Sequence, residues 1–361
     1  MMSGPHRRGG RGQQGIALIT ILLLLVFMLA IIAGLFYRHQ LHIQKVSRML
    51  VGEQAMLLFL GAESWARRVL SEDGRQTRID HLEEKWAYPL PPMPMEGGVL
   101  TGCLRDEQGL FSLNSLGWYT SKTWAEELAG DGQGRNVTSR RRILQNLMAQ
   151  AGLEHSDALV ASLVDWVDPD GWLVSPESAE DNEYLLMQPP YRAANFPLGD
   201  IDELTLVSGF SPAFVERLEP LVNTVPGDLP LNVNTASVPV LAAVSSLVSV
   251  EQARRLAGLR PFPSLDKFYE QMASVVSETH ATLRTLVPPQ FLTVSSDYFS
   301  VHARLVLAGS DFAYRSLIWR RGDTTRVLSR TLTPIPQVVN DPNRKLPPVI
   351  PCGNGNNQES L

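Results

Sequence analysis

The chain is poor in cysteine and has no surplus of positive charge. Its 361 residues include only two cysteines, Cys103 and Cys352, which are too few for a disulfide scaffold. The formal net charge is -5 at pH 7, so the chain as a whole does not attract nucleic acid or anionic lipid. With 44% hydrophobic and 19% charged residues, the composition excludes a disordered or fibrous protein. The length allows about two to three domains.

Sequence signatures of enzymes are also missing. The chain contains no Gly-x-Ser-x-Gly, no His-Glu-x-x-His and no phosphate-binding loop. The glycines at residues 130–134 follow no predicted strand, so this stretch is interpreted as a loop. We therefore expect no catalytic residues, no cofactor-binding residues and no enzymatic activity.

The N-terminus has a basic, acid-free start and then a long apolar run. Residues 16–36 contain a single polar side chain, Thr20, and as a helix they are long enough to span a hydrocarbon core of about 30 Å. The three arginines that precede this run place the N-terminus in the cytoplasm by the positive-inside rule. The sequence therefore predicts a single-pass inner-membrane protein whose globular part is periplasmic.

Three interpretations of this segment compete: a plain signal anchor, a cleaved signal peptide and a prepilin leader. The apolar run is longer than the 7–15 residues of a signal peptide, and no small-residue cleavage site follows it. The junction between Gly15 and Ile16, where a short basic stretch meets the apolar run, resembles a type IV prepilin cleavage site. Prepilins are cut after the glycine, keep the whole apolar helix and are methylated on the new N-terminus, here Ile16.

The helix is predicted to continue beyond the membrane. Apolar residues recur with helical spacing over residues 41–70, and residues 71–74 form a credible stop signal. Residues 88–98 contain four prolines and are predicted to be a loop, followed by a hairpin over residues 99–116. Strand patterns then disappear and return at residues 298–333, with turns near Gly309 and Gly322.

Two groups of strands on either side of a long helical stretch predict one β-sheet interrupted by an inserted α-domain, an α+β fold. The predicted divisions are a leader at residues 1–15, a stalk helix at 16–72, the first part of the β-domain at 73–120, an all-α insert at 121–288, the remainder of the β-domain at 289–335 and an irregular tail at 336–361.

The insert contains an unusually acidic stretch. Eleven acids and one base, Arg192, lie between residues 155 and 203. Carboxylates this crowded repel one another unless a hard cation or solvent separates them, and calcium is the natural candidate outside the cytoplasm. The spacing does not match an EF-hand, so a solvated acidic loop with helix-capping aspartates remains the alternative.

Residues 231–236 (LNVNTA) resemble the start of a helix-hairpin-helix module, some of which bind the DNA backbone. That class uses a Gly-x-Gly hairpin with basic residues nearby, and residues 244–249 here contain no glycine. Asn232 and Asn234 are therefore predicted to be structural. A membrane-anchored DNA-uptake protein with a pilin-like leader is kept as the alternative function.

Taken together, four segments resemble the protein K family of type II secretion minor pseudopilins. These are the leader with Thr20, residues 165–184, residues 197–204 and residues 231–236. The family implies a pilin-like fold, with a long N-terminal helix packed on an antiparallel sheet, and a large inserted helical domain. It also implies a cap at the tip of the periplasmic pseudopilus, partnership with the I and J minor pseudopilins and the major pseudopilin, and processing by the prepilin peptidase.

The resemblance also bears on single residues. Some family members bind calcium, which makes Asp168, Asp170, Glu180 and Glu183 the candidate metal ligands. Most pilins carry a glutamate at the fifth mature position, where this chain has Thr20, and that departure suits a first subunit with no predecessor to dock against.

The two cysteines leave two possibilities open. In an oxidising compartment Cys103 and Cys352 could pair and close a long loop. Otherwise Cys103 is a buried strand residue and Cys352 a thiol in the tail.

Overall fold

A computed structural model describes residues 14–131, 137–152 and 156–335 of the chain. The chain divides into two units, Met1–Leu58 and Phe59–Leu361. The helices are α1 (Gln14–Gln76), α2 (Ser121–Asp131), α3 (Arg140–Gln150), α4 (Asp157–Val167), α5 (Asp181–Tyr184), α6 (Pro212–Leu218), α7 (Val238–Ala243), α8 (Val250–Ala257), α9 (Leu265–Val276) and α10 (His280–Leu286). The strands are β1 (Leu90–Met95), β2 (Gly98–Asp106), β3 (Phe111–Ser112), β4 (Val222–Asn223), β5 (Leu231–Asn232), β6 (Leu292–Thr293), β7 (Tyr298–Leu307), β8 (Ser310–Arg321) and β9 (Thr324–Ile335).

The first unit is the N-terminal part of α1. Its side chains are exposed from residue 17 to residue 50, and an 18-residue window of the helix reaches a mean hydropathy of 3.1. Among the described residues, α1 is the one helix long and apolar enough to cross a membrane. Thr20 donates its hydroxyl to the carbonyl of Ala17 at 2.9 Å, so its polar group needs no partner from another chain.

The second unit contains a five-stranded antiparallel sheet in the order β1-β2-β7-β8-β9. The three long strands at the C-terminal end lie where the alternating pattern predicts them. Their turns use positive φ angles, at Gly309 (φ +74°) and Gly322 (φ +57°), which glycine adopts without a Cβ penalty.

The N-terminal edge of the sheet differs from the prediction. Residues 88–98 were expected to be a loop, but Leu90–Met95 forms β1, which pairs only with β2 in the sheet. Prolines lack an N–H donor, and an edge strand tolerates them because one of its sides makes no ladder bonds. The hairpin expected over residues 99–116 is also wrong, because β2 pairs with β1 and β7, whereas β3 pairs in parallel with β4.

The end of α1 packs on this sheet. Phe59 stacks on Tyr314 with ring centroids 4.9 Å apart, and both side chains are buried. Glu63 accepts hydrogen bonds from the Tyr314 hydroxyl at 2.7 Å and from Arg330 Nε at 2.8 Å. Burial alone would raise the pKa of Glu63, but the bonds from Arg330 and Tyr314 outweigh it and hold this pKa below its usual value.

The insert occupies the chain between β2 and β7. It contains α2 to α10 and two short parallel strand pairs, β3 with β4 and β5 with β6. One hydrophobic core runs through it from Phe111 to Leu292. The insert therefore begins about ten residues before the predicted boundary at 121 and ends after the predicted boundary at 288, because Phe111 and Leu292 pack with the helices and not with the sheet.

Buried polar groups join the insert to the sheet. Asp106, the last residue of β2, accepts hydrogen bonds from Asn232 Nδ2 (3.1 Å), Thr235 Oγ1 (2.6 Å) and Ser296 Oγ (2.6 Å). Burial is the largest effect on its pKa and raises it to about 7. Asn232 and Asn234 are structural, as predicted, and Asn234 bonds both backbone groups of Phe262 in the insert.

A candidate cation site in the insert

The site is built around the end of α4. Ser156 caps the helix by accepting a hydrogen bond from the N–H of Leu159 at 3.3 Å. The helix ends at Val167 because Asp168 precedes a proline, which disfavours the helical conformation, and Asp168 has extended backbone angles (φ -75°, ψ 157°). Asp165, one turn earlier, points its carboxylate toward the loop that follows and accepts the N–H of Val174 at 2.8 Å.

Three carboxylates in this region are buried and incompletely bonded. Asp165, Asp168 and Glu180 have exposed fractions of 0%, 3% and 6%. One oxygen of each, Asp165 Oδ2, Asp168 Oδ1 and Glu180 Oε1, has no hydrogen-bond partner in the described part of the chain. Buried oxygens of this kind are rare in folded proteins, because each loses its hydration without compensation. Three of them on neighbouring segments are the strongest sign of a missing ligand in the described structure.

The pKa values of these groups also reflect their burial without compensating bonds. Burial raises the pKa of Asp165 to about 6, of Asp168 to about 7 and of Glu180 to about 7. The negative charges of neighbouring carboxylates add to the effect, those of Asp170 and Asp165 on Asp168 and that of Asp165 on Glu180. The base of this stretch, Arg192, is paired with Asp181 at 2.8 Å. A cation bound by the three carboxylates would remove both the repulsion and the unmet hydrogen-bonding capacity.

Three of the four predicted ligands lie close enough for their charges to affect the pKa values of the group. Asp168, Asp170 and Glu180 interact electrostatically, although Asp170 is exposed and already accepts the N–H of Trp172 at 2.8 Å. Glu183 is exposed and is not among the neighbours that shift these pKa values most. Asp165 takes its place in the cluster. Its position three residues before Asp168, at the end of a helix, is the signal that could have identified it.

A second group of acids is tighter, and its buried oxygens already have hydrogen-bond partners. Single carboxylate oxygens of Asp73, Asp80 and Glu84 lie within 4.8 Å of one another. Arg320, however, pairs with Asp73 at 2.8 Å and also with Asp80, and Glu84 accepts bonds from neighbouring donors. Because these carboxylates already bond an arginine and neighbouring donors, none of their oxygens is buried without a partner in the described part of the chain.

The helix-hairpin-helix resemblance does not extend to a phosphate-binding surface. The connection between α7 and α8 reads VSSLVS, and its amides are used internally. Ser249 and Gln252 form a capping box, in which each side chain bonds the backbone N–H of the other residue (3.2 and 2.8 Å). The N–H of Val248 bonds the carbonyl of Ser245 at 3.0 Å. Few amides are left to hold a phosphate.

The remaining predicted site residues lie at the two ends of the chain. Gly15 and Ile16 are part of α1, whereas residues 1–13 of the predicted leader lie outside the described residues. Cys103 lies on β2 with an exposed fraction of 4%. Cys352 and the rest of the predicted tail lie outside the described residues, so the pairing of the two cysteines stays a prediction.

Two family models match the insert. Both are described as type II secretion system (T2SS), protein K, and they cover residues 109–227 and 231–285. Similar whole chains include the type II secretion system protein K of Pseudomonas aeruginosa, which is 36% identical over 93% of this chain and 98% of its own length. The protein of the same description from Aeromonas hydrophila is 31% identical over 89% of this chain and 97% of its own length.

The fold also has a solved relative. It resembles a chain in the crystal structure of the GspK-GspI-GspJ complex from the enterotoxigenic Escherichia coli type 2 secretion system. The match has a TM-score of 0.65 and 28% sequence identity, and it covers 78% of this chain and 96% of that one. The α+β fold predicted from the sequence, with its long N-terminal helix and antiparallel sheet, is thereby confirmed.

Proposed function

Because the chain belongs to the type II secretion system protein K family, we propose that this minor pseudopilin caps the tip of the periplasmic pseudopilus and helps to start its assembly. Its partners at the tip are the I and J minor pseudopilins, as in the related GspK-GspI-GspJ complex. The likeness to a chain of that complex is the observation that carries the proposal. Fibre growth below the tip then moves folded proteins toward the outer membrane, and the chain itself performs no chemistry.

The stalk supports a role as the first subunit. Thr20 occupies the fifth position of the mature chain, and its hydroxyl is satisfied by the carbonyl of Ala17 within the same helix. A glutamate at this position would need a cation from a preceding subunit to be tolerated in lipid. A chain that needs no such cation can take its place in the membrane without a preceding subunit.

The single apolar helix anchors the chain in a membrane. We place this anchor in the inner membrane, with the arginine-rich N-terminus in the cytoplasm and the second unit in the periplasm. The prepilin peptidase cuts between Gly15 and Ile16 and methylates Ile16. Intact-mass analysis of the full-length protein from cells with and without the peptidase tests this step. The expected product lacks residues 1–15 and carries one added methyl group, and retention of residues 1–15 in the presence of the peptidase would contradict the proposal.

The tip assignment has its own test. Tagged full-length chain is co-expressed with the I and J pseudopilins, solubilised from membranes and purified through the tag, and the copy number of each chain is measured by native mass spectrometry. A complex with one copy of each chain is expected. Several copies of this chain per complex would contradict a cap, since a cap occurs once. No feature of the described structure favours the DNA-uptake alternative, and salt-sensitive retention on immobilised DNA would reopen it.

Calcium is the second part of the proposal. Asp165, Asp168 and Glu180 supply the buried oxygens, and Asp170 adds a further carboxylate at the solvent side. The ion would fasten the end of α4, the loop after it and the start of α5 to one another, so its contribution is structural. Calcium suits the site because it accepts carboxylate oxygens in irregular geometry.

Isothermal titration of the metal-free full-length protein with Ca²⁺ tests this assignment. Asp165→Asn or Glu180→Gln should weaken binding at least tenfold, because each removes a buried anionic ligand. Glu177→Gln is the matched control, since Glu177 is an exposed acid of the same loop and is not among the neighbours that shift the pKa values of the cluster most. Glu183→Gln separates the two ligand sets: unchanged affinity supports the set with Asp165, and a tenfold loss supports the set first predicted from the sequence.

A further inference from the structure

The loops around the candidate cation site expose an unusual amount of apolar surface. Trp118, Trp172, Leu186 and Phe196 have exposed fractions of 71%, 77%, 81% and 71%. The other exposed large apolar residues in the described part of the insert lie between 38% and 47%. We call these four side chains, three aromatic and one leucine, the aromatic rim. Such strongly exposed aromatic residues are uncommon on a protein surface unless they contact a partner.

Hydrogen bonds connect the segments that carry Trp118, Trp172 and Phe196. Ser121, at the start of α2 and three residues after Trp118, donates to the carbonyl of Leu173 at 3.3 Å, and Leu173 directly follows Trp172. Asn114, four residues before Trp118, accepts the N–H of Leu198 at 2.7 Å and donates to its carbonyl at 3.0 Å. The segments of Trp118, Trp172 and Phe196 are therefore held together.

The segment of Leu186 is fixed in the same way. Leu186 follows α5, whose Tyr184 ring lies 5.1 Å from the ring of Trp166 on α4. Asp181 at the start of α5 accepts the N–H of Ala193 at 3.1 Å, three residues before Phe196. The four rim side chains thus project from anchored loops of one region, and not from unrelated parts of the insert.

Charge indicates what kind of partner this surface fits. Of the eleven acids in residues 155–203, eight make no ion pair with a described base: Asp165, Asp168, Asp170, Glu177, Glu180, Glu183, Asp202 and Glu203. The eight include the three carboxylates of the cation cluster. Glu177, Glu183 and Asp202 are exposed and lie outside it. A bound calcium ion would therefore leave the surface around the rim negative.

We propose that the aromatic rim is a docking site for a folded protein that presents exposed arginine or lysine side chains around an apolar patch. The exposed acids attract such a surface and would repel anionic phospholipid. Three aromatic side chains of about 150–250 Å² each offer on the order of 500 Å², a large part of the roughly 800 Å² that one partner buries in a typical complex. The surface goes beyond the tip assignment, since its four residues belong to the insert and not to α1.

Photo-crosslinking in cells that contain the whole secretion system tests the proposal. The photoreactive residue p-benzoylphenylalanine replaces Trp172 in the full-length chain, and in a control it replaces Leu259, an exposed apolar residue elsewhere in the insert (46%). The expected result is a discrete protein adduct at position 172 and none at position 259. The double variant Glu177→Gln, Glu183→Gln should lower the adduct yield about tenfold, because it removes charge without touching the rim.

Several outcomes would overturn the proposal. These are an adduct with phospholipid only, equal labelling at the two positions, no adduct at all, or a protein adduct whose yield ignores the two charge changes. A second measurement uses Trp118→Ala with Phe196→Ala, which should reduce secretion about tenfold while co-purification with the I and J pseudopilins stays normal. Normal secretion by this variant would also refute the docking site. Loss of co-purification by this variant would mean that the rim binds the I and J pseudopilins, and it would overturn a docking site beyond the tip complex. Failure of the wild-type chain to co-purify with them would instead count against the tip assignment, so the two failures are distinguishable.

Discussion

Replacing Asp168 with asparagine should change the stability of the second unit in opposite directions with and without calcium. Asp168 is 3% exposed, and burial, followed by the charges of Asp170 and Asp165, raises its pKa from 3.8 to about 7. At 1.36 kcal/mol per pKa unit, the ionised form costs on the order of 4 kcal/mol of stability at pH 8. Because neighbouring carboxylates share this cost, the single substitution should recover about 1–3 kcal/mol in the absence of calcium.

The pH dependence follows from the sign of the pKa shift. A carboxyl group whose folded pKa lies above its unfolded value holds a proton more firmly in the folded state, so stability falls as pH rises from about 4 to 7. The metal-free wild-type protein should therefore be more stable at pH 5 than at pH 8. Asp168→Asn should reduce this slope, since asparagine does not titrate.

Calcium should reverse the ranking of the two proteins. At a free concentration of 100 times Kd, a bound ligand stabilises the folded state by about 2.7 kcal/mol. The asparagine variant should lose most of this gain, because an amide oxygen replaces an anionic ligand. Urea unfolding of the full-length protein in detergent, followed by circular dichroism at pH 8 with EDTA and with calcium, measures both effects.

Glu177→Gln is again the control, and it should leave both unfolding curves unchanged. If Asp168→Asn destabilises the protein equally with EDTA and with calcium, then Asp168 serves only as a hydrogen-bond acceptor and the metal assignment fails. If the variant keeps the wild-type pH slope, the attribution of the raised pKa to this carboxylate is refuted.

Three further predictions concern the second unit. Arg320→Met should lower the free energy of unfolding in urea by about 3–5 kcal/mol, because it leaves the two carboxylate partners of a buried arginine without a counter-charge. The loss should be larger at pH 8 than at pH 5, and an equal loss at both pH values would contradict this. Phe59→Ala should cost about 3–5 kcal/mol by the same assay, since the side chain is fully buried against Tyr314, and a loss below about 1 kcal/mol would mean that the helix is not packed there. If Cys103 and Cys352 form a disulfide, the chain isolated from cells and denatured without reductant should resist alkylation at both cysteines. Labelling of both would refute the disulfide.

Much of the fold was predictable because its signals are local in sequence. The apolar run of the stalk and the alternating pattern of β7, β8 and β9 report which faces contact lipid, core or solvent, and turns such as Gly309 mark the ends of the strands. Pairing between distant segments carries no such local signal. The proline-rich β1 was therefore missed, because its strand conformation depends on β2 lying beside it.

The candidate site was also predictable only where its signals are local in sequence. The sequence by itself determined the density of acids, and the repulsion among them made this region a candidate for a cation site. Only the tertiary structure decided which carboxylates are buried, and these include Asp165 but not Glu183. Burial is a property of the whole packed insert, whose core draws on residues from Phe111 to Leu292, and no window of the sequence contains that information.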